Sequence, residues 1–529
     1  MDEPKVAVEC VMVSYNFTQD PEKAKIVMVS ASGLRFFDRW VLTHGSILAP
    51  LKEAEIFQRS KGKLILNDEF YAKLPEVYVS GQHSTQEKNV YDNLEVLSKN
   101  RHAQNGADLE HSSYLVRTVM GRICHIWQCS VVDRCASDVF YNWSIGHREA
   151  GEDEQTSLGH SLLSVFVLID LEGCDQEFKT LRPLSSLLDI VHPPPVRGSQ
   201  LLVCSTPFGC EAFLNSETIG YICGEVGVRP SLILTDAATS LGSEGGAVFA
   251  TGKSLSLIGI VACSVSWCRG EWVGLTLVAP LMTVLSAKLN MDMANLARPR
   301  TRDPLMTVLN TVDRMTVLVR CGSTWGSGVY LGDGYFITCS HCLNEYTNRR
   351  VEIYCQGIKE HAVVVYRTVQ DRPYDLAVLY SSPAKWKHLQ VAKLSDNPAW
   401  KGEQVMAVGF PYYSEHSVDS LVPTMTNGYV NNVSPSMIQT SCCVQSGFSG
   451  GPIIRLTSGI EVVGIIVSNA KNDENAYYPY VNMAVPATAF KDSVQKFMIS
   501  KDPNSLQNLE NQREIIQSQW RLLPYRSKI

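Results

Sequence analysis

Apolar residues along this chain come in short runs separated by breaks. Phe336-Ile337, Leu376–Tyr380, Val405–Val408 and Val462–Val467 are each a few residues long and are punctuated by Gly, Pro and Asn. Runs of that length between turn-forming residues predict β-strands, because the breaks supply the tight turns that strand pairing needs. The N-terminal half has the same texture, so both halves read as β. Near the end, Asn508–Leu523 has the spacing of one amphipathic helix followed by a short tail.

The pattern occurs twice. Ser327–Thr338 has an ungapped counterpart in Ser32–Thr43, and Asp375–Leu379 in Ser164–Leu168. Lys401–Pro411 matches Arg197–Pro207, and Gly447–Gly451 matches Gly242–Gly246. One such match between β-rich segments is ordinary, but an ordered series argues for duplication. The charged stretch Ala297–Pro304, with two prolines, is the natural linker. The expected organisation is therefore a first domain over 1–296, a linker over 297–304, a second domain over 305–500, and a helix and tail over 501–529. The first domain carries an insertion at about 70–160, which includes the polar stretch Gly81–Ser112 with the composition of an exposed loop.

Composition changes this picture little. The 529 residues are 45% hydrophobic and 19% charged, as in an ordinary globular protein, and the net charge of −6 argues against nucleic acid or an anionic membrane as partner. No apolar run reaches the roughly 18 residues that span a bilayer. The N-terminus lacks the basic start and apolar core of a secretory signal, so a soluble, unsecreted protein is expected. In that setting the 16 cysteines read as reduced, and most sit singly in apolar runs. The group Cys124, His125, Cys129 and Cys135 has no standard zinc-ligand spacing. Neither metal nor cofactor is expected.

The candidate chemistry lies in the second copy. A serine hydroxyl becomes a competent nucleophile when a base removes its proton and a carboxylate orients that base. His341 ends Phe-Ile-Thr-Cys-Ser-His, a strand followed by a small-residue turn, and Asp375 begins Asp-Leu-Ala-Val-Leu. Ser449 lies in Gly-Phe-Ser-Gly-Gly-Pro, where glycines let the amides of Gly447 and Ser449 face one oxyanion. Asp371 competes for the acid position, but it precedes Arg-Pro and lacks an apolar strand directly after it.

This triad context resembles that of the trypsin-like serine proteases, particularly the HtrA/Deg branch. The resemblance implies two trypsin-like double β-barrel domains in tandem, an all-β fold, with the N-terminal domain degenerate. It also places Cys443, six residues before the nucleophile, and Ser468 in the substrate pocket; an uncharged Cys443 implies preference for a small or apolar side chain. Zymogen-activated trypsins carry Asp just before the nucleophile. Here that position is Phe448, which implies activity without that kind of activating cleavage.

On the same blocks, the first copy places Ser46, Ser164 and Glu244 where the second has His341, Asp375 and Ser449, and His44 falls two residues early. The chain ends Ser527-Lys528-Ile529, which resembles the peroxisomal Ser-Lys-Leu address. A degenerate half, an intact half, no PDZ domain and that ending together resemble the peroxisomal leader-peptide-processing proteases. The resemblance implies a matrix endopeptidase acting on imported enzymes, an import receptor as partner, a possible homo-oligomer, and cleavage near cysteine. Self-cleavage in the polar insertion, near Cys124, Cys129 or Cys135, is a further expectation. A cytosolic HtrA/Deg-like quality-control protease, with an incidental ending, is the competing enzyme reading; a pseudoprotease scaffold is the non-enzyme one.

Overall fold

The computed structural model describes residues 8–20, 25–50, 57–60, 63–66, 74–84, 114–146, 159–172, 181–227, 230–268, 271–291, 304–343, 350–369, 373–413, 415, 421–457, 459–471, 477–510 and 513–520. The chain divides into two compact units. Unit 1 comprises 1–137, 143–266 and 275–299; unit 2 comprises 138–142, 267–274 and 300–529. Two short segments that precede the linker, 138–142 and 267–274, nevertheless belong to unit 2.

Unit 2 holds two closed six-stranded antiparallel barrels. The first is built from Thr316–Cys321, Thr324–Gly332, Tyr335–Thr338, Val351–Cys355, Ile358–Arg367 and Ala377–Tyr380. The second is built from Gln404–Gly409, Thr424–Ser434, Met437–Thr440, Pro452–Arg455, Glu461–Lys471 and Tyr477–Pro486. Strand alternation explains how one strand serves two surfaces. In Thr316–Cys321, Val317, Val319 and Cys321 enter the barrel core with Val351 and Ile353, whereas Leu318 packs with Tyr354 and Phe410 of the second barrel's approach.

Unit 1 repeats the plan. Its barrels run Val8–Asp20, Lys25–Phe36, Trp40–His44, Val77–Ser84, Tyr114–Gln128 and Val165–Asp170, then Gln200–Ser205, Ser216–Val226, Leu232–Thr235, Ala247–Ala250, Ser256–Cys263 and Thr276–Pro280. In every barrel the strands are joined in the order first, second, third, sixth, fifth, fourth. The fold is thus all-β with tandem double barrels.

Two expectations need correction. The range from about 70 to 160 is not one insertion, because Val77–Ser84 and Tyr114–Gln128 are barrel strands paired from Val77–Gly121 to Ser84–Tyr114. Of the polar stretch Gly81–Ser112, residues 85–112 lie outside the described residues. The terminal helix is also shorter than Asn508–Leu523: a 3-10 turn, Pro503–Leu509, precedes an α-helix at Glu514–Trp520. Leu506 and Leu509 are buried by that turn, so the apolar spacing belongs to two elements. Fifteen cysteines are described, all free of disulfides, and Cys210 is the exposed one among them.

Candidate active site

The third strand of the first barrel in unit 2 ends at Thr338, and a short 3-10 turn, His341–Leu343, follows. Thr338 Oγ1 donates to the Ser327 carbonyl at 2.6 Å, and Ser340 Oγ donates to the Thr368 carbonyl at 2.9 Å. These bonds fix the turn that presents His341. Asp375 precedes the sixth strand, and its two carboxylate oxygens are divided between ring and backbone. Oδ2 lies 2.5 Å from His341 Nδ1, and Oδ1 accepts from the His341 backbone amide at 3.0 Å. The paired contact fixes both the position of the imidazole and its tautomer, with Nδ1 carrying the proton. Burial works against a charged ring, but the adjacent Cys342 sulfur and the Asp375 carboxylate outweigh it and raise the His341 pKa above its usual 6.5.

Ser449 comes from the second barrel, in the turn before Pro452–Arg455. Its backbone carbonyl accepts from the Ser327 amide at 2.7 Å, which ties the turn to the first barrel. Ser327 Oγ also donates to the Gly447 carbonyl at 2.7 Å and accepts from the Phe410 amide at 3.0 Å. Gly447 has φ of 95°, and a Cβ there would stand 2.1 Å from the Phe410 carbonyl oxygen. Glycine is therefore required at this turn. Among the described residues the amides of Gly447 and Ser449 are not spent on backbone carbonyls. The Ser449 hydroxyl donates to the Val467 carbonyl at 3.1 Å in this arrangement. Phe448, between Gly447 and Ser449 in the chain, is fully buried in the core of the second barrel.

The structure pairs His341 with Asp375 and sets the Ser449 turn against the His341 turn, the Cys342 thiol lying 3.7 Å from the Ser449 carbonyl. Ser468 follows Val467 and is half-buried. Cys443 is different. It is fully buried, and its thiol donates to the carbonyls of Val273, at 3.6 Å, and Gly274, at 3.3 Å. It lies beneath the surface, covered by Val273 and Gly274, and not at the exposed pocket wall that the resemblance implies. Asp371 and Ser527–Ile529 lie outside the described residues. One group among the described residues could hold a metal: ligand atoms of Cys339, His341 and Asp375 lie within 4.8 Å of one another. His341 Nδ1 is already engaged by Asp375, and the Cys339 thiol donates to the Ile466 carbonyl at 3.0 Å.

Unit 1 contains the same bonding frame with different chemistry. Thr43 Oγ1 donates to the Ser32 carbonyl at 2.6 Å, Ser32 Oγ donates to the Gly242 carbonyl at 2.7 Å, and the Ser32 amide donates to the Glu244 carbonyl at 3.0 Å. These repeat the Thr338, Ser327, Gly447 and Ser449 bonds one for one, so Glu244 occupies the nucleophile position. Its carboxylate accepts from the Gly242 amide at 2.9 Å and the Ser264 amide at 3.1 Å, and also from the Ser264 hydroxyl. Cross-strand register corrects one pairing. Thr43 faces Val167 where Thr338 faces Ala377, which puts Val165, not Ser164, in the place of Asp375. Ser164 instead donates to Asp133 at 3.2 Å. His44 is buried with its pKa lowered to about 4 by desolvation, its Nδ1 accepting from the Ser46 amide at 3.2 Å and its Nε2 facing the Leu163 carbonyl at 3.1 Å. It is a neutral packing histidine.

Comparisons with known proteins agree with this geometry. A family described as the trypsin-like peptidase domain matches residues 326–465, the stretch that contains His341, Asp375 and Ser449. The chain is 31% identical over 407 residues to the "Peroxisomal leader peptide-processing protease" of Homo sapiens, covering 71% of this chain and 68% of that protein. It is 32% identical over 361 residues to the Mus musculus protein of the same name, covering 62% of this chain and 60% of that protein. A shorter likeness, 31% over 143 residues, links it to the "Probable periplasmic serine endoprotease DegP-like" of Pseudomonas putida strain GB-1, covering 26% of this chain and 28% of that protein.

Proposed function

The chain belongs to the family of the peroxisomal leader peptide-processing proteases, and from that premise we propose that it is a serine endopeptidase of the peroxisomal matrix that removes N-terminal leaders from imported enzymes. The single observation that carries the chemistry is the division of the Asp375 carboxylate between the ring and the backbone amide of His341. It leaves Nε2 as the one basic nitrogen, directed away from the acid.

In the reaction, rotation about its Cα–Cβ bond turns the Ser449 hydroxyl from Val467 towards His341 Nε2. Contacts of this kind are commonly loose before substrate binds. Ser449 Oγ then attacks the scissile carbonyl carbon while Nε2 takes its proton, and Asp375 stabilises the resulting imidazolium. The carbonyl oxygen becomes an oxyanion bonded by the Gly447 and Ser449 amides. Collapse breaks the C–N bond as Nε2 delivers the proton to the leaving amine. Water repeats the sequence on the acyl-enzyme, with Ser449 leaving. Unit 1 takes no part in bond breaking: a carboxylate fills its nucleophile position, and Ser46 and Val165 stand where the base and the acid would be.

Ser527-Lys528-Ile529 is the address read by a peroxisomal import receptor, and the substrates are matrix proteins. Self-cleavage falls in the polar stretch 85–112. Cys124 lies within a paired strand, Cys129 is buried, and Cys135 is buried in the helix Ser130–Val139, so the folded chain does not offer these cysteines as cut sites. The test pairs purified wild type with Ser449→Ala. Wild type should label with a fluorophosphonate, cleave a leader–enzyme fusion at one site, and nick itself, while the variant does none of these. Equal cleavage of the fusion by both proteins would sink the assignment.

A further inference from the structure

Residues 271–274 belong to unit 2 and contact Cys443 and Ser446, which precede Ser449. Gly274 sits against Pro479, and its carbonyl accepts from the Tyr480 hydroxyl at 2.6 Å as well as from the Cys443 thiol. Trp272 meets the Tyr480 ring edge-on, with centroids 6.3 Å apart. Glu271, the residue before Trp272, accepts from Ser446 Oγ at 2.7 Å through Oε2. Ser446 directly precedes Gly447, whose amide faces the substrate carbonyl in the reaction above. The Glu271 carboxylate is therefore held beside the residues that flank the scissile bond. It is half-buried, and no described Lys or Arg forms an ion pair with it.

We propose that Glu271 is a specificity-determining residue: its carboxylate selects substrates with a cationic side chain next to the scissile bond. The inference rests on the serine peptidase reading and extends it. The Val273 and Gly274 carbonyls cover Cys443 and bring no charge there. Selectivity by charge then falls to Glu271, held at Ser446 beside the nucleophile turn. A carboxylate there attracts Lys or Arg and repels Asp or Glu, and partial burial reduces the screening that would weaken either effect. Ser446 holds the carboxylate in place at one oxygen and leaves the other for the substrate.

Quenched peptides of one sequence, carrying Lys, Ala or Glu at each residue flanking the scissile bond, provide the test with full-length protein. Wild type should cleave a Lys peptide about tenfold better, by kcat/KM, than the matching Glu peptide. Glu271→Gln keeps an acceptor for Ser446 but removes the charge, and should bring that ratio close to one. Glu271→Lys should invert it. Thermal melts of both variants check that the segment remains folded. An unchanged Lys-to-Glu ratio in either folded variant would overturn the inference alone. Failure of wild type to cleave any peptide or to label with a fluorophosphonate would overturn the peptidase reading, and the inference with it.

Discussion

The carboxylate of Glu244 accepts a hydrogen bond from the backbone amide of Gly242 at 2.9 Å, in the position that Gly447 holds in unit 2. The degenerate unit therefore satisfies internally the donor that the intact unit keeps available. Glu244 Oε2 takes the Gly242 amide, while Oε1 accepts from the Ser264 amide and hydroxyl. On the proposed mechanism, one residue, Glu244, replaces the nucleophile and fills the oxyanion site.

Glu244→Ala should remove the acceptor from the Gly242 and Ser264 amides without creating a nucleophile. Stability should fall by about 1–3 kcal/mol, the usual cost of leaving buried donors unmet. Peptide hydrolysis at Ser449 should be unchanged. Denaturant titration of the full chain checks the first statement and steady-state kinetics the second. New fluorophosphonate labelling in a Glu244→Ala, Ser449→Ala double variant would contradict this account.

The raised pKa of His341 gives a signed pH dependence. The ring must be neutral to act as base, and a raised pKa keeps it protonated to higher pH. Activity should therefore rise with pH through a midpoint above 6.5, the usual histidine value. Asp375→Asn removes the carboxylate that supports the imidazolium. It should move the midpoint down and lower kcat by about 10⁴. A pH profile of kcat/KM for both proteins decides this, and an unmoved midpoint would count against the contact.

Gly447→Ala should cost about 10²–10³ in kcat. The new Cβ cannot stand 2.1 Å from the Phe410 carbonyl, so the turn must rotate and carry its amide away from the oxyanion. KM should change less than kcat, because the donor acts mainly on the charged intermediate. Equal loss in both parameters would indicate a collapsed site.

Deleting Ser527–Ile529 should leave a catalytically unchanged protein in the cytosol, since a receptor-read address adds nothing to folding. Imaging of the truncated chain in cells lacking the full-length protein checks this. Continued peroxisomal import there would refute it.

The candidate site was legible in the sequence because His341, Asp375 and Ser449 each sit in a short local context whose residues have strong steric or chemical requirements. Gly447 and Gly450 are demanded by positive φ, and the Ser-His turn follows a strand of four buried residues. The barrels were legible as a duplication because the bonds joining Ser327 to the nucleophile turn recur around Ser32. What local pattern could not reveal was assembly. Glu271 meets Ser446 across 175 positions of sequence, and nothing near either residue signals the other. The strand Tyr114–Gln128 was lost inside a supposed insertion because long polar connections hid its alternation. The shift from Ser164 to Val165 is smaller still. Block matching without gaps cannot register one residue of slack ahead of a strand, whereas backbone pairing can.

The burial of the cysteines has a kinetic consequence. Twelve of the fifteen described are buried, and desolvation pushes the Cys263 and Cys355 thiols up to about 12, leaving little thiolate at neutral pH. An alkylating reagent should react promptly at exposed Cys210 and reach the buried thiols only as the barrels transiently open. Cys10, Cys223, Cys321 and Cys442 mark four different barrels or their immediate approaches. The order in which their masses increase would give the order in which those barrels breathe.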